Sequence, residues 1–305
     1  MHIPDGYFNI ATSAGGGLAA FSSLGLAMRG RNYPDRQIPI AGVAAAFIFA
    51  AQMLNFPAGA GTSGHLLGGA LAAILLGPRL AIVVLAIVIG AQGLLFADGG
   101  ISALGLNILN MAVVTTLGGW VSFRLLMRIL HKTTAAALVA TMLSAWVSVV
   151  LSSLAFVGEY GLGGQGGAPI GIVLGAMVGV HALIGVGEGL ITAVVVGAVL
   201  AVRPDLVTGI SDLGLAKNAR APQGKAVAAF VVGGVLAALA LVTIVAPHAS
   251  TSPDGLERVA IDTGFVAAGS PNAGLGTILA GVVGTLVTFG AGFGLSAFIR
   301  RRHPA

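Results

Sequence analysis

The chain contains no cysteine, which excludes disulfides, thiolate metal sites and iron–sulfur clusters. Charge is almost as scarce: 8% of the 305 residues are Asp, Glu, Lys or Arg and 56% are apolar, against about 25% charged in soluble domains. A chain so composed is an integral membrane protein. Its three lysines all miss the GxxxxGK[ST] pattern that cradles nucleotide phosphates, since His131-Lys132-Thr133 lacks the glycine and Gly224-Lys225-Ala226 the hydroxyl. No Lys or Arg precedes Arg29, so the amino terminus lacks the positive region of a cleaved signal.

Apolar runs near bilayer-crossing length fall at residues 10–28, 38–56, 65–77, 80–97, 101–123, 134–157, 170–202, 226–246 and 273–299. The expected fold is an all-α polytopic bundle of about nine transmembrane helices, seven in a first module and two in a second. The third run is short and suits a tilted or partly re-entrant segment buried among its neighbours. With the amino terminus outside, all of the 15 basic residues but Arg258 fall on the inner side, as the positive-inside rule demands. The net charge of +5 thus reports orientation and needs no nucleic acid to explain it. No internal repeat is visible, and the polar stretch from Arg203 to Lys225 is the one convincing linker, dividing residues 1–220 from 225–305.

Met1-His2 opens the chain. A free terminal amine, the deprotonated His2 amide and the His2 ring nitrogen can close a five-membered and a six-membered ring on one metal ion. Three such nitrogens lie in a plane, and a fourth completes the square that favours Ni(II) or Cu(II) over tetrahedral Zn(II). His2 is too bulky for the usual removal of the initiator methionine, so the Met1 amine is expected to stay. His65, in a glycine-rich approach with Gly59, Gly61 and Gly64, is the candidate fourth donor.

The remaining polar residues of the apolar segments are Gln52, Asn55, Gln92, Asn107, Asn110, His181 and Glu188. Such groups are costly in hydrocarbon and face the bundle interior, where Asn55, Asn107, Asn110, His181 and Glu188 are candidates to orient the ligands. His181 and Glu188, seven apart on one helical face, suit a buried ion pair that is either a clasp or a proton relay. Gln52 and Gln92 suit hydrogen bonds between helices, away from the site. A stripe of Gly15, Ala19, Ser23 and Ala27 on the first helix is expected to pack within the chain. The loop from Pro247 to Asn272 carries His248, Asp254, Glu257 and Asp262, which could relay metal to the site but are expected simply as solvated groups. The helices of residues 226–305 contain no histidine, so that module is expected to serve transport and contribute no ligand, its loop bracing the entrance or assisting the amino-terminal segment. HALIGVGE lacks the HExxH spacing of a metalloprotease, and the chain is expected not to be an enzyme.

Four stretches in order, MHIPDG at 1–6, NFPAGAGTSGHLLGG at 55–69, ADGGISALGLNILNMA at 97–112 and HALIGVGEGLIT at 181–192, closely resemble the CbiM/NikM family, the substrate-capture components of energy-coupling-factor transporters for cobalt and nickel. PDGLE at 253–257, between two hydrophobic helices, resembles the small CbiN/NikN-type accessory component, here fused to the capture module. The resemblance implies a metal held by the Met1 amine, the backbone and ring nitrogens of His2, and His65, the same residues that chelation chemistry selects. It also implies a CbiQ/NikQ-like transmembrane coupling protein, CbiO/NikO-like ATPase subunits, a prokaryotic cell membrane and no cofactor beyond the transported Ni(II) or Co(II). The alternative is a secondary metal transporter run by an ion gradient, a class often built on inverted repeats.

Overall fold

Seven helical stretches long and apolar enough to cross a membrane stand among the described residues, with a shorter apolar helix beside them. The structure is a computed structural model that describes residues 1–29, 37–215, 224–269 and 277–302. Arg31, Arg36, Lys217 and Arg220, and part of the expected joint between Arg203 and Lys225, lie outside the described residues. The helices are α1 (Ile10–Met28), α2 (Gln37–Gln52), α3 (Gly69–Leu76), α4 (Pro78–Leu95), α5 (Leu104–Ile108), α6 (Thr115–Ile129), α7 (Thr134–Gly163) and α8 (Ile170–Val202). They continue with α9 (Thr208–Ser211), α10 (Gly224–Ala240), α11 (Gly255–Thr263) and α12 (Thr277–Arg302). A π turn over Leu109–Val114 joins α5 to α6 in one crossing.

The third expected crossing is the one that departs most from a helix. Strands β1 (Phe56–Gly59) and β2 (Thr62–Gly64) form an antiparallel hairpin, and only after His65–Gly68 does α3 begin. Its eight residues span about 12 Å, under half of a hydrocarbon core of roughly 30 Å. Gly68, at φ 82°, breaks any helix that would start earlier. Irregular backbone at this depth survives only inside protein, and residues 62–77 are all buried. The Glu188 carboxylate on α8 accepts hydrogen bonds from Leu67 N at 2.6 Å and Gly68 N at 2.9 Å. Gln52 Nε2 donates to Leu67 O at 2.9 Å, so this glutamine belongs to the broken segment and is not simply a bond between helices.

Helix α7 packs along α8, and α10 and α12 pack on α2, where Ala46, Ala50, Ala238 and Val242 form a small second core. On α1 the expected stripe holds at its end and is displaced by one residue at its start. Ala27 is buried as expected, but Gly15 and Ala19 are exposed and Gly16 and Ala20 are buried in their place, because Gly16 lies under Leu106 and Gly17 against Gly105 of α5. One residue is about 100° of helical rotation. The first nine residues, the hairpin, the turn at 98–100 and the segment 250–269 converge at one end of the bundle.

Candidate metal centre

The amino-terminal strand is drawn into the bundle by apolar anchors and a clamp. Met1 and Ile3 are 3% and 1% exposed, with Tyr7 and Phe8 also buried. Asn107 on α5 accepts from Ile3 N at 2.8 Å and donates to Ile3 O at 3.1 Å, and Gly100 N donates to the same carbonyl at 2.8 Å. Asp5 accepts from Ser102 N at 2.7 Å, which with the Ser102 hydroxyl holds its carboxyl below the usual carboxylate range. The strand can come this close only because residue 100 is glycine: a Cβ there would lie 2.3 Å from Asp5 N. Asn107→Ala removes both side-chain bonds to Ile3 and is expected to weaken metal binding about tenfold to a hundredfold, the usual range for groups that orient ligands. Equilibrium metal titration against wild type checks this, and unchanged affinity would show that the clamp does not position the amine.

His65 leaves the hairpin directly into this strand. Its Nδ1 lies 3.1 Å from Leu66 O, and a carbonyl can only accept, so Nδ1 carries the proton and Nε2 keeps its lone pair. That Nε2 is 2.8 Å from the Met1 amine nitrogen. Burial, with the charge of the amine and of His2, holds the imidazole well below its ordinary pKa, which favours the neutral, ligating form. The His2 and His65 rings stand 5.1 Å apart. His2 Nδ1 is 3.3 Å from Asp98 O and 3.5 Å from Asp98 Oδ1, its Nε2 is buried with no partner, and burial lowers its pKa as well.

A third group reaches the amine. Asp254 Oδ2 lies 2.8 Å from Met1 N and 3.8 Å from His65 Nε2, so Asp254 is not the simply solvated loop group that the sequence suggests, and its loop braces the amino-terminal segment. The segment is docked by Ser63, whose N donates to Pro253 O at 2.9 Å and whose hydroxyl donates to Ser252 O at 2.7 Å. The amine, with His65, holds the Asp254 carboxyl below its ordinary pKa against the opposing effect of burial. The Pro253–Glu257 motif divides its work: Pro253 pairs with the hairpin, Asp254 caps α11 through Oδ1 on Glu257 N at 2.8 Å, Gly255 lies over Ile184 and His181, and Leu256 is buried. Nothing in sequence spacing could reveal the contact, since 253 residues separate its partners.

The other candidates divide. Asn107 and Glu188 grip the backbone of the two segments that carry the candidate ligands. His181 donates from Nδ1 to Met177 O at 2.8 Å, and Glu188 is committed to Leu67 and Gly68, so the suspected His181–Glu188 ion pair is absent. His181 does line a small pocket with Met1, Gly64 and His65. Asn110 donates to Glu159 at 2.8 Å, and Asn55 offers its backbone carbonyl to Ser250 N. His248 is exposed. Among the described residues no three His, Asp or Glu side chains form a metal cluster by themselves, so a site here depends on main-chain nitrogen.

Residues 2–206 match the CbiM family, described as the cobalt uptake substrate-specific transmembrane region. The chain belongs to that family. The NikMN chain of Archaeoglobus fulgidus, whose name describes a fused nickel transport protein, is 35% identical over 98% of this chain and 99% of its own length. The cobalt transport protein CbiM of Geobacter sulfurreducens is 32% identical over 70% of this chain and 64% of its own. A crystal structure of a truncated transition metal transporter superposes with a TM-score of 0.59 at 30% identity, covering 66% of this chain and 99% of that one. The relatives of this CbiM-family chain are transporters, not enzymes.

Proposed function

We propose that the chain is the substrate-capture component of an energy-coupling-factor importer for Ni(II) or Co(II), binding the ion through the Met1 amine, the His2 amide and Nδ1, and His65 Nε2. The observation that carries this reading is the 2.8 Å approach of Met1 N to His65 Nε2, which is also the separation of adjacent corners of a square whose bonds to a central ion are about 2 Å. In the chelate the His2 donor is Nδ1, so loading exchanges its contact with Asp98 O for a bond to the metal, and the ring proton that faces this carbonyl moves to the unpartnered Nε2. The names of the relatives favour nickel or cobalt over Cu(II), which the nitrogen set alone would prefer.

The site faces the outer side of a prokaryotic cell membrane, where the positive-inside rule puts the amino terminus. A CbiQ/NikQ-like coupling protein and CbiO/NikO-like ATPase subunits supply the energy, because this chain carries no phosphate-binding loop of its own. Residues 1–220 are the capture module and 225–305 a fused CbiN/NikN-like module; the Archaeoglobus relative, described as a fusion, aligns across both.

Capture through these nitrogens releases a proton from the His2 amide and, where the amine is charged, another from Met1. Affinity is therefore expected to rise about tenfold to a hundredfold per pH unit. The two imidazoles add little, because a lowered pKa means that protons compete for them only at pH values below their ordinary range. Titration calorimetry in buffers of different ionisation heat counts the released protons. An affinity flat between about pH 6 and 8 would reject amide ligation and point to carboxylate donors.

A further inference from the structure

Three donor atoms at the candidate centre are already arranged around one point. Met1 N stands 2.8 Å from His65 Nε2 and 2.8 Å from Asp254 Oδ2, and the latter two are 3.8 Å apart. The point equidistant from all three lies roughly 1.9 Å from each, close to the ~2.0–2.2 Å of metal–nitrogen and metal–oxygen bonds. The angle at the amine is near a right angle, so the amine occupies one corner of a square and the imidazole and carboxylate the two corners beside it. We propose that Asp254, from the segment joining the last two long helices, is a ligand to the incoming Ni(II) or Co(II) during uptake, bound opposite His65 and next to the Met1 amine.

Several features of the surroundings suit that role. Asp254 Oδ1 is fixed by the backbone of α11, which leaves Oδ2 aimed at the amine and His65. A cleft of about 400 Å³, lined by His2, Asp98, Asp254 and Glu257 among others, borders the same carboxylate and gives a cation a route to it. His2 Nε2, buried without a partner on the same cleft wall, is a further polar atom not committed to the protein.

The inference rests on the preceding reading, and the two together define an order of events. In the Met1–His2 chelate the amide nitrogen must sit next to the amine and opposite His65, which is the corner that Asp254 holds. The metal–oxygen bond to Asp254 therefore breaks as the metal–nitrogen bond to the His2 amide forms, and the amide proton leaves to water. Asp254 receives the ion and then yields it, which lets a slow amide ionisation take place on a metal already held by three donors.

The test measures the rate of Ni(II) binding by stopped flow to the full chain in detergent. Asp254→Asn keeps the helix cap and removes the charged donor, and Asp254→Ser is a second variant that still caps. Both are expected to slow loading at least about tenfold, the smallest loss that follows from removing a group supporting a metal site, while the bound ion keeps its nitrogen coordination by X-ray absorption. Glu257→Gln removes the same charge from the same cleft without touching the amine and is expected to leave the rate within about twofold, as a neighbouring charge acts only through screened steering. Equal slowing by Glu257→Gln would reduce Asp254 to steering and overturn ligation, as would wild-type loading by both Asp254 variants. His65→Ala separates the two levels: wild-type affinity in that variant would overturn the four-nitrogen reading and this inference with it. Lost affinity there, with normal loading in the Asp254 variants, would overturn this inference alone.

Discussion

Blocking the Met1 amine, by acetylation or by one residue placed ahead of it, lowers metal affinity by at least about a hundredfold. A four-ligand metal site is worth roughly 10–16 kcal/mol, about 3 kcal/mol per ligand, and every 1.4 kcal/mol is tenfold. The modification removes one donor and opens the five-membered ring, so it weakens the His2 amide as a ligand too. His65→Ala is expected to lose as much, because this imidazole is the candidate donor that lies 2.8 Å from the amine. His131→Ala is the matched control: that residue is exposed in the turn between α6 and α7, remote from the amino terminus, and its loss leaves affinity unchanged. Equilibrium titration of Ni(II) and Co(II) decides. Wild-type affinity in a chain with a blocked, correctly folded amino terminus would remove Met1 from the site.

Glu188→Ala is expected to damage both fold and site. Two buried backbone N–H groups, Leu67 and Gly68, lose their acceptor, at about 1–3 kcal/mol each. These groups begin the short α3 and stand two and three residues beyond His65, so the imidazole loses its fixed approach to the amine. Glu188→Gln keeps one carbonyl oxygen and satisfies one of the two donors, so it is expected to fall between Ala and wild type. Thermal unfolding in detergent reads the stability, and metal titration of the folded fraction reads the site. If Glu188→Ala kept both wild-type stability and affinity, the carboxylate would not be what holds the broken crossing.

Both results concern contacts that sequence periodicity leaves blank. Apolar runs and scarce charge suffice for a helical membrane bundle, because lipid imposes a simple length and polarity rule on each segment separately. The capacity of a Met1-His2 terminus to chelate is legible for a similar reason: the geometry it would use is local, set by covalent rings within two residues. His65 could be selected as a donor because few histidines are available and one follows a run of glycines.

Folding alone decided the rest. The 65–77 run reads as a helix, yet four of its residues are irregular, and only the distant Glu188 and Gln52 make that backbone tolerable. His181 and Glu188 share a helical face and so suggest a pair, but each finds a backbone partner instead, since a buried polar group takes whichever complement packing brings nearest. Asp254 is the extreme case. A short acidic motif in a loop carries no sign of its partner in the sequence, and it becomes part of the candidate metal centre because Ser63 and α8 dock its segment over the amino terminus. The sequence by itself determined what must be buried in the membrane and which nitrogens can chelate; the tertiary structure determined which oxygen meets them, because that contact depends on the packing of segments 253 residues apart.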